Sequence, residues 1–84
     1  MSAAEPYDEV TSRLAATSTA HALGPGEADA LLWLAKTVAD ASGDRRAAPL
    51  TCYLAGQILA GEPDPEARVA RIRALADELR EPDD

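Results

Sequence analysis

Glycine and proline cut this chain into four pieces, and that punctuation constrains its fold more than any other feature. Stops stand at Gly24-Pro25-Gly26, Gly43 and Gly61, and Pro6, Pro49 and Pro65 lie near the starts of three of the pieces. Proline suits a first helical turn, where its missing N–H has no bond to lose, and glycine suits the residue after a helix. Each piece is long enough for about three helical turns, and in none do apolar residues alternate with period two. The pattern predicts four helices and no sheet.

The first segment, 5–23, carries Tyr7, Val10, Leu14, Thr17 and His21 at steps of three and four, with Asp8 and Glu9 near the positive end of the dipole. Its second half, ATSTAHAL, favours helix weakly. The second segment, 27–42, has Leu31, Leu34, Ala35 and Val38 on one face. The third, 48–60, holds no charge, and the uncharged run extends over 47–61. A helix apolar on every side is a buried one. Cys52, Gly56 and Ala60 form a small-residue stripe along it, which predicts close approach of a neighbouring helix. The fourth, 64–81, opens with Asp64 as N-cap and Pro65 at the first helical position. Val69, Ile72, Leu75, Ala76 and Leu79 form its inward stripe. Arg68 falls outside that stripe, four residues from Asp64. The expected architecture is an all-α, small four-helix bundle, a single domain over 1–84. Its third helix, about 49–60, is expected to be most buried, and 82–84 form an acidic tail.

Composition sets how much core this bundle can have. Of 39 apolar residues 19 are Ala, and only ten Leu, three Val and two Ile supply aliphatic bulk. Alanine favours helix and close packing but buries little area. A thin core gains from a partner or a second copy. The net charge of −7 repels phosphate backbones and anionic lipid, so neither nucleic acid nor membrane is an expected partner. The uncharged run falls short of the ~20 residues that span a bilayer. MSAAEPYDEV has neither the basic nor the apolar part of a secretion signal. A single cysteine suits a reducing compartment, and the expected location is the cytoplasm.

Few residues here could do chemistry. Cys52 and His21 could form a nucleophile–base pair, but a cysteine inside an apolar helix behaves as a small hydrophobe. His21 suits the negative end of the first helix. A carboxylate-bridged metal site needs Glu-x-x-His on two helices, and only one His exists. Glu62, Asp64 and Glu66 are expected to cap the fourth helix rather than bind metal. Gly24-Pro25-Gly26-Glu27 lacks the lysine and hydroxyl of a phosphate loop. No catalytic residue, metal or cofactor is therefore expected. The candidates are for partner binding. Trp33, the only tryptophan, falls on the charged side of its helix beside Asp29, Lys36 and Asp40, where an aromatic marks a protein contact or else folds over its own helix or under the N-terminal segment. Tyr53 is expected at the core with its hydroxyl at the edge, or else at a ligand or partner. Arg45 and Arg46 are placed to bind an acidic group on a partner or, the stronger expectation, to satisfy the last carbonyls of the second helix.

The stretch ALLWLAKTVADASGDRRAAPLTCYLAG, residues 30–56, resembles a small domain of unknown function from high-GC Gram-positive bacteria. That family joins a Leu-Leu-x-Leu-Ala-x-x-Val-Ala helix to an Arg-x-x-Ala-Pro-Leu-Thr run and a Leu-x-Gly helix. The matching residues are Leu31, Leu32, Leu34, Ala35, Val38 and Ala39, then Arg45, Ala48, Pro49, Leu50, Thr51, Leu54 and Gly56. The closing ARVARIRALADEL is similar too, so the likeness covers about 27–80. Members lie beside, or are fused to, molybdopterin guanylyltransferase-like proteins. The resemblance thus implies an accessory role in maturation or delivery of the molybdenum cofactor, and no activity. At Trp33 this chain departs from a commonly acidic position. The expected function is a non-catalytic, protein-binding module that assists such an enzyme and can form a homodimer. The alternatives are a small-ligand carrier, with Tyr53, Gln57 and Cys52 lining a pocket between helices three and four, and a free-standing homo-oligomer.

Overall fold

Four helices form in the expected order, α1 (Pro6–Ala16), α2 (Glu27–Ser42), α3 (Ala47–Leu59) and α4 (Pro65–Leu79). They are seen in a computed structural model, in which residues 5–17 and 22–80 are described. Among these there is no strand, and the architecture is an all-α four-helix bundle.

The helix boundaries follow local chemistry. Pro6 starts α1, and Asp8 Oδ2 accepts the Glu5 N–H at 2.8 Å. The helix ends at Ala16, where Thr17 donates its hydroxyl back to the Leu14 carbonyl at 3.0 Å. A helix reaching residue 23 is therefore corrected: hydroxyl side chains that bond their own backbone compete with helix continuation, and Ala22 and Leu23 are not helical. His21 and the tail 82–84 lie outside the described residues. Gly26 (φ 78°) and Gly43 (φ 73°) bracket α2 in the left-handed region, and the Gly43 N–H caps the Ala39 carbonyl at 2.9 Å. Asp64 Oδ1 accepts the Glu66 N–H at 3.2 Å to cap α4, with Pro65 next to it.

The centre of the bundle is α2, packed along both α3 and α4, while α3 and α4 barely touch. Leu34 and Ile72 are fully enclosed, and Ala30, Val38, Ala55, Leu59 and Ala76 complete the core. The third helix is not the most buried element. It buries Ala55 and Leu59 alone, whereas α2 buries five residues. Lack of charge gave α3 a wider apolar surface than one neighbouring helix can cover. The close approach expected at Gly56 is also absent: nothing stands within 4 Å of where its Cβ would be. Nor does α1 pack along another helix or bury any residue. Its first turn lies near the start of α2. There the Tyr7 hydroxyl is held above its usual range by desolvation, then by Glu5, Asp29 and Asp8.

What ties α4 to α2 is a buried ion pair that spacing did not predict. Arg68 points inward, away from its expected contact with Asp64. Its Nε donates to Glu27 Oε2 at 2.8 Å and its Nη2 to Glu27 Oε1 at 3.0 Å. Its Nη1 donates to the carbonyls of Glu62 and Pro63 at 3.0 and 3.1 Å. Glu27 Oε1 also accepts the Gly24 N–H at 2.8 Å. Both side chains are 8 % exposed, and no buried side-chain polar atom among the described residues lacks a hydrogen bond. This bidentate arrangement is the geometry in which a buried pair offsets its desolvation. Gly24 makes room for it, since a Cβ there would land on the Cβ of Pro65.

Removing one partner leaves the other charge buried. Arg68→Met should therefore destabilise the fold by about 3–5 kcal/mol in urea unfolding followed by circular dichroism. Glu27→Leu combined with Arg68→Met should lose less than the sum of the two single changes. A loss under about 1 kcal/mol for Arg68→Met would rule out a structural role for the pair. Two glycine substitutions should move stability in opposite directions. Gly24→Ala should lose about 1–3 kcal/mol through collision with the Pro65 ring. Gly56→Ala, in open helical surroundings, should gain about 0.4–1 kcal/mol.

Candidate functional site

The sequence candidates divide between two sides of the bundle. Trp33 lies 200° around α2 from Leu31, counted at 100° per residue. Cys52 Sγ of α3 stands 4.0 Å from the Leu31 carbonyl, so α3 covers the Leu31 side and Trp33 faces away from it. Its neighbours are Lys36, Thr37, Asp40 and Ala41 on α2 and Arg80 just past α4, which together line a cleft of about 150 Å³. Lys36 Nζ donates to Asp40 Oδ2 at 2.7 Å. Trp33 itself is 44 % exposed. The expected charged setting is present. Arg80 joins it from a distant part of the chain, for which no local spacing could have given a signal.

On the other side stands the outer face of α3. Leu50, Tyr53, Leu54 and Ile58 are 66, 69, 57 and 53 % exposed. Tyr53 is thus a surface residue, contrary to its expected place at the core. Its position follows from helical phase: Ala55 and Leu59 turn inward, and Tyr53 lies on the opposite side. Arg46 begins the same face, four residues before Leu50. It does not cap α2; the Gly43 backbone N–H does that. Arg46 instead holds Asp44, with Nη2–Oδ2 at 2.8 Å and Nε–Oδ1 at 3.1 Å. The Arg46 hydrogen bonds hold the Asp44 carboxyl below its usual range, so this contact persists at neutral pH and is lost only as acid protonates Asp44. Arg45 is exposed, and its guanidinium forms no ion pair among the described residues. Leu50, Leu54 and Ile58 were not among the contact residues expected from sequence. The signal available was their spacing of four in a run too long for one neighbour to cover.

Two other sites were weighed from sequence, a pocket between helices three and four and the acids before the fourth helix. The groove between α3 and α4, about 630 Å³, is lined by Ile58, Gly61, Ala67, Ala70, Arg71 and Ala74 among others. Tyr53, Gln57 and Cys52 do not line it, because the first two lie on the outer face and Cys52 turns toward α2. Among the described residues no group of three His, Cys, Asp or Glu could hold a metal ion. Glu62 and Asp64 are engaged with backbone: Glu62 Oε2 accepts the Asp64 N–H at 3.1 Å, and Asp64 accepts that of Glu66.

Burial pushes the Cys52 thiol above its ordinary range. The folded chain therefore holds its proton more tightly than the unfolded chain does. Stability linked to this group is intact below the unfolded thiol range and falls as pH rises through it. Iodoacetamide at pH 8 should label Cys52 at least about tenfold more slowly in the native protein than in urea. Equal rates would show the thiol to be free.

No helix is long and apolar enough to cross a membrane among the described residues. Neither the curated proteins nor the solved structures hold a match to this chain. The sequence profile of one family matches it over residues 4–84, nearly its whole length. The chain belongs to the family described as a domain of unknown function, DUF6457.

Proposed function

We propose that this domain is a non-catalytic accessory module of the cytoplasm, which binds a protein partner through the surface around Trp33. The observation that carries the reading is a half-exposed tryptophan set among Lys36, Asp40 and Arg80. Aromatic residues and arginine are enriched at protein interfaces, and a large aromatic at the centre of a charged rim is the usual composition of a binding hot spot. Mixed polar and aromatic surface of this kind favours a reversible contact between proteins that also exist apart. The resemblance of residues 27–80 to domains found beside molybdopterin guanylyltransferase-like proteins supports the reading that such an enzyme is the partner. The role is then to assist cofactor guanylylation or delivery by contact, the reacting groups being the enzyme's own.

The test is affinity capture of the tagged full chain from native lysate at modest salt, followed by direct titration against the purified guanylyltransferase-like enzyme. Wild type should retain the enzyme. Trp33→Asp should bind it at least about tenfold more weakly, the effect of losing a moderate hot spot. Retention unchanged by Trp33→Asp would exclude this surface. Failure of wild type to bind the enzyme in titration would overturn the partner, and turnover of a pterin or nucleotide by the isolated domain would overturn the non-catalytic role.

A further inference from the structure

The outer face of α3 differs in kind from the Trp33 surface. Leu50, Tyr53, Leu54 and Ile58 lie at steps of three, one and four along one side of the helix, more than half exposed, with the uncharged Gln57 between them. Charge begins only outside the run 47–61, with Arg46 before it and Glu62 after it. We infer that this face is a homodimer interface, in which α3 of one copy packs antiparallel on α3 of a second copy.

Three observations select a second copy as the occupant. The first is charge. Two chains of net charge −7 repel over most of their surfaces. The α3 face is where they can touch without opposing like charges. The second is register. Arg46 precedes Leu54 by eight residues and Glu62 follows it by eight. An antiparallel pair crossing at Leu54 sets each Leu50 against Ile58 of the other copy, and brings each Arg46 toward the turn beyond α3 of the other copy, where the Glu62 carboxylate accepts the Asp64 N–H through Oε2 and keeps acceptor capacity for a guanidinium. The ends therefore attract and the middle is apolar. The Arg46 side chain is 87 % exposed in its contact with Asp44 and remains available for this. A parallel pair would instead set Arg46 against Arg46. The third is area. Taking a whole residue of this size as roughly 200 Å², the four side chains expose about 500 Å² per copy. Complete cover of these side chains in both copies buries about 1,000 Å², the lower bound for a specific interface, and Arg46 and Gln57 add to it. An uncharged, apolar face is also the composition of interfaces between permanently associated copies rather than transient partners.

Sedimentation equilibrium of the full chain across about 10–500 µM tests the proposal. Wild type should be a dimer at the upper concentrations. Leu54→Glu, at an exposed position, should keep its helical circular dichroism and raise the dimer dissociation constant at least about 100-fold. Arg46→Glu should weaken the dimer about tenfold, and adding Glu62→Arg to the same chain should restore it, because the exchanged charges meet again only in the antiparallel register. A wild-type chain that is monomeric throughout would overturn the proposal. So would a dimer indifferent to Leu54→Glu. A dimer without rescue by the double exchange would overturn the antiparallel register. Trp33→Asp should leave the dimer unchanged, so this proposal and the enzyme-binding reading fail separately.

Discussion

The Glu27–Arg68 pair is the one buried polar contact that fixes how the fourth helix meets the centre of the bundle among the described residues. On α2 and α4 the core consists of Ala30, Leu34, Val38, Ile72 and Ala76, with Leu31, Val69 and Leu75 packed against it, and apolar contacts of this kind set register only through shape. A bidentate guanidinium–carboxylate contact cannot slide, since its geometry is satisfied in one register. The same pair also gathers the loops. Arg68 holds the carbonyls of Glu62 and Pro63, and Glu27 holds the N–H of Gly24. One interaction thus fixes the start of α2, the start of α4 and the chain leading into each. Burying charge is a weak source of net stability, but it is a strong source of uniqueness where the apolar side chains are small.

The same lack of bulk explains the displaced centre of the bundle. A helix needs inward side chains of some size to be drawn into a core. α3 offers Ala55 and Leu59, and its larger residues are out of phase with them. α2 offers Ala30, Leu34 and Val38 toward two neighbours at once. Absence of charge measures what a surface tolerates, while phase and volume decide what is enclosed.

That distinction marks how far the sequence could be read. Helix number, class and most ends were legible, because Gly43, Asp64 and Pro65 act within a few residues and their chemistry is local. The end of α1 was set too late because Thr17 and His21 continue the helical spacing of Tyr7, Val10 and Leu14, although the weak helix formers of ATSTAHAL already allowed the early end that Thr17 makes. Arg68 was misplaced because spacing supplies a partner at Asp64, while the partner that wins, Glu27, is 41 residues away and visible only after folding. Trp33 was placed correctly on a charged side, since helical phase within α2 is again local, but Arg80 beside it was not. Tyr53 was sent to the core by an argument from charge alone, although its phase against Ala55 and Leu59 already pointed outward.

The two candidate contact surfaces follow from one cause. A chain with 19 alanines among its apolar residues encloses few of the larger ones, and the rest must be shown to solvent or to another molecule. Where they are shown among charges, as at Trp33, contact and release are both accessible, because water and ions solvate the rim of the free surface. Where they are shown without charges, along α3, the free surface is the less favourable state. Covering it does more than hide area. α3 is held to α2 largely by small residues, so in the proposed dimer a second copy laid along its outer side adds contacts to a helix that buries only Ala55 and Leu59. If the proposed dimer forms, stability of this domain is coupled to its own concentration by mass action, which ties the thin core to the uncharged face.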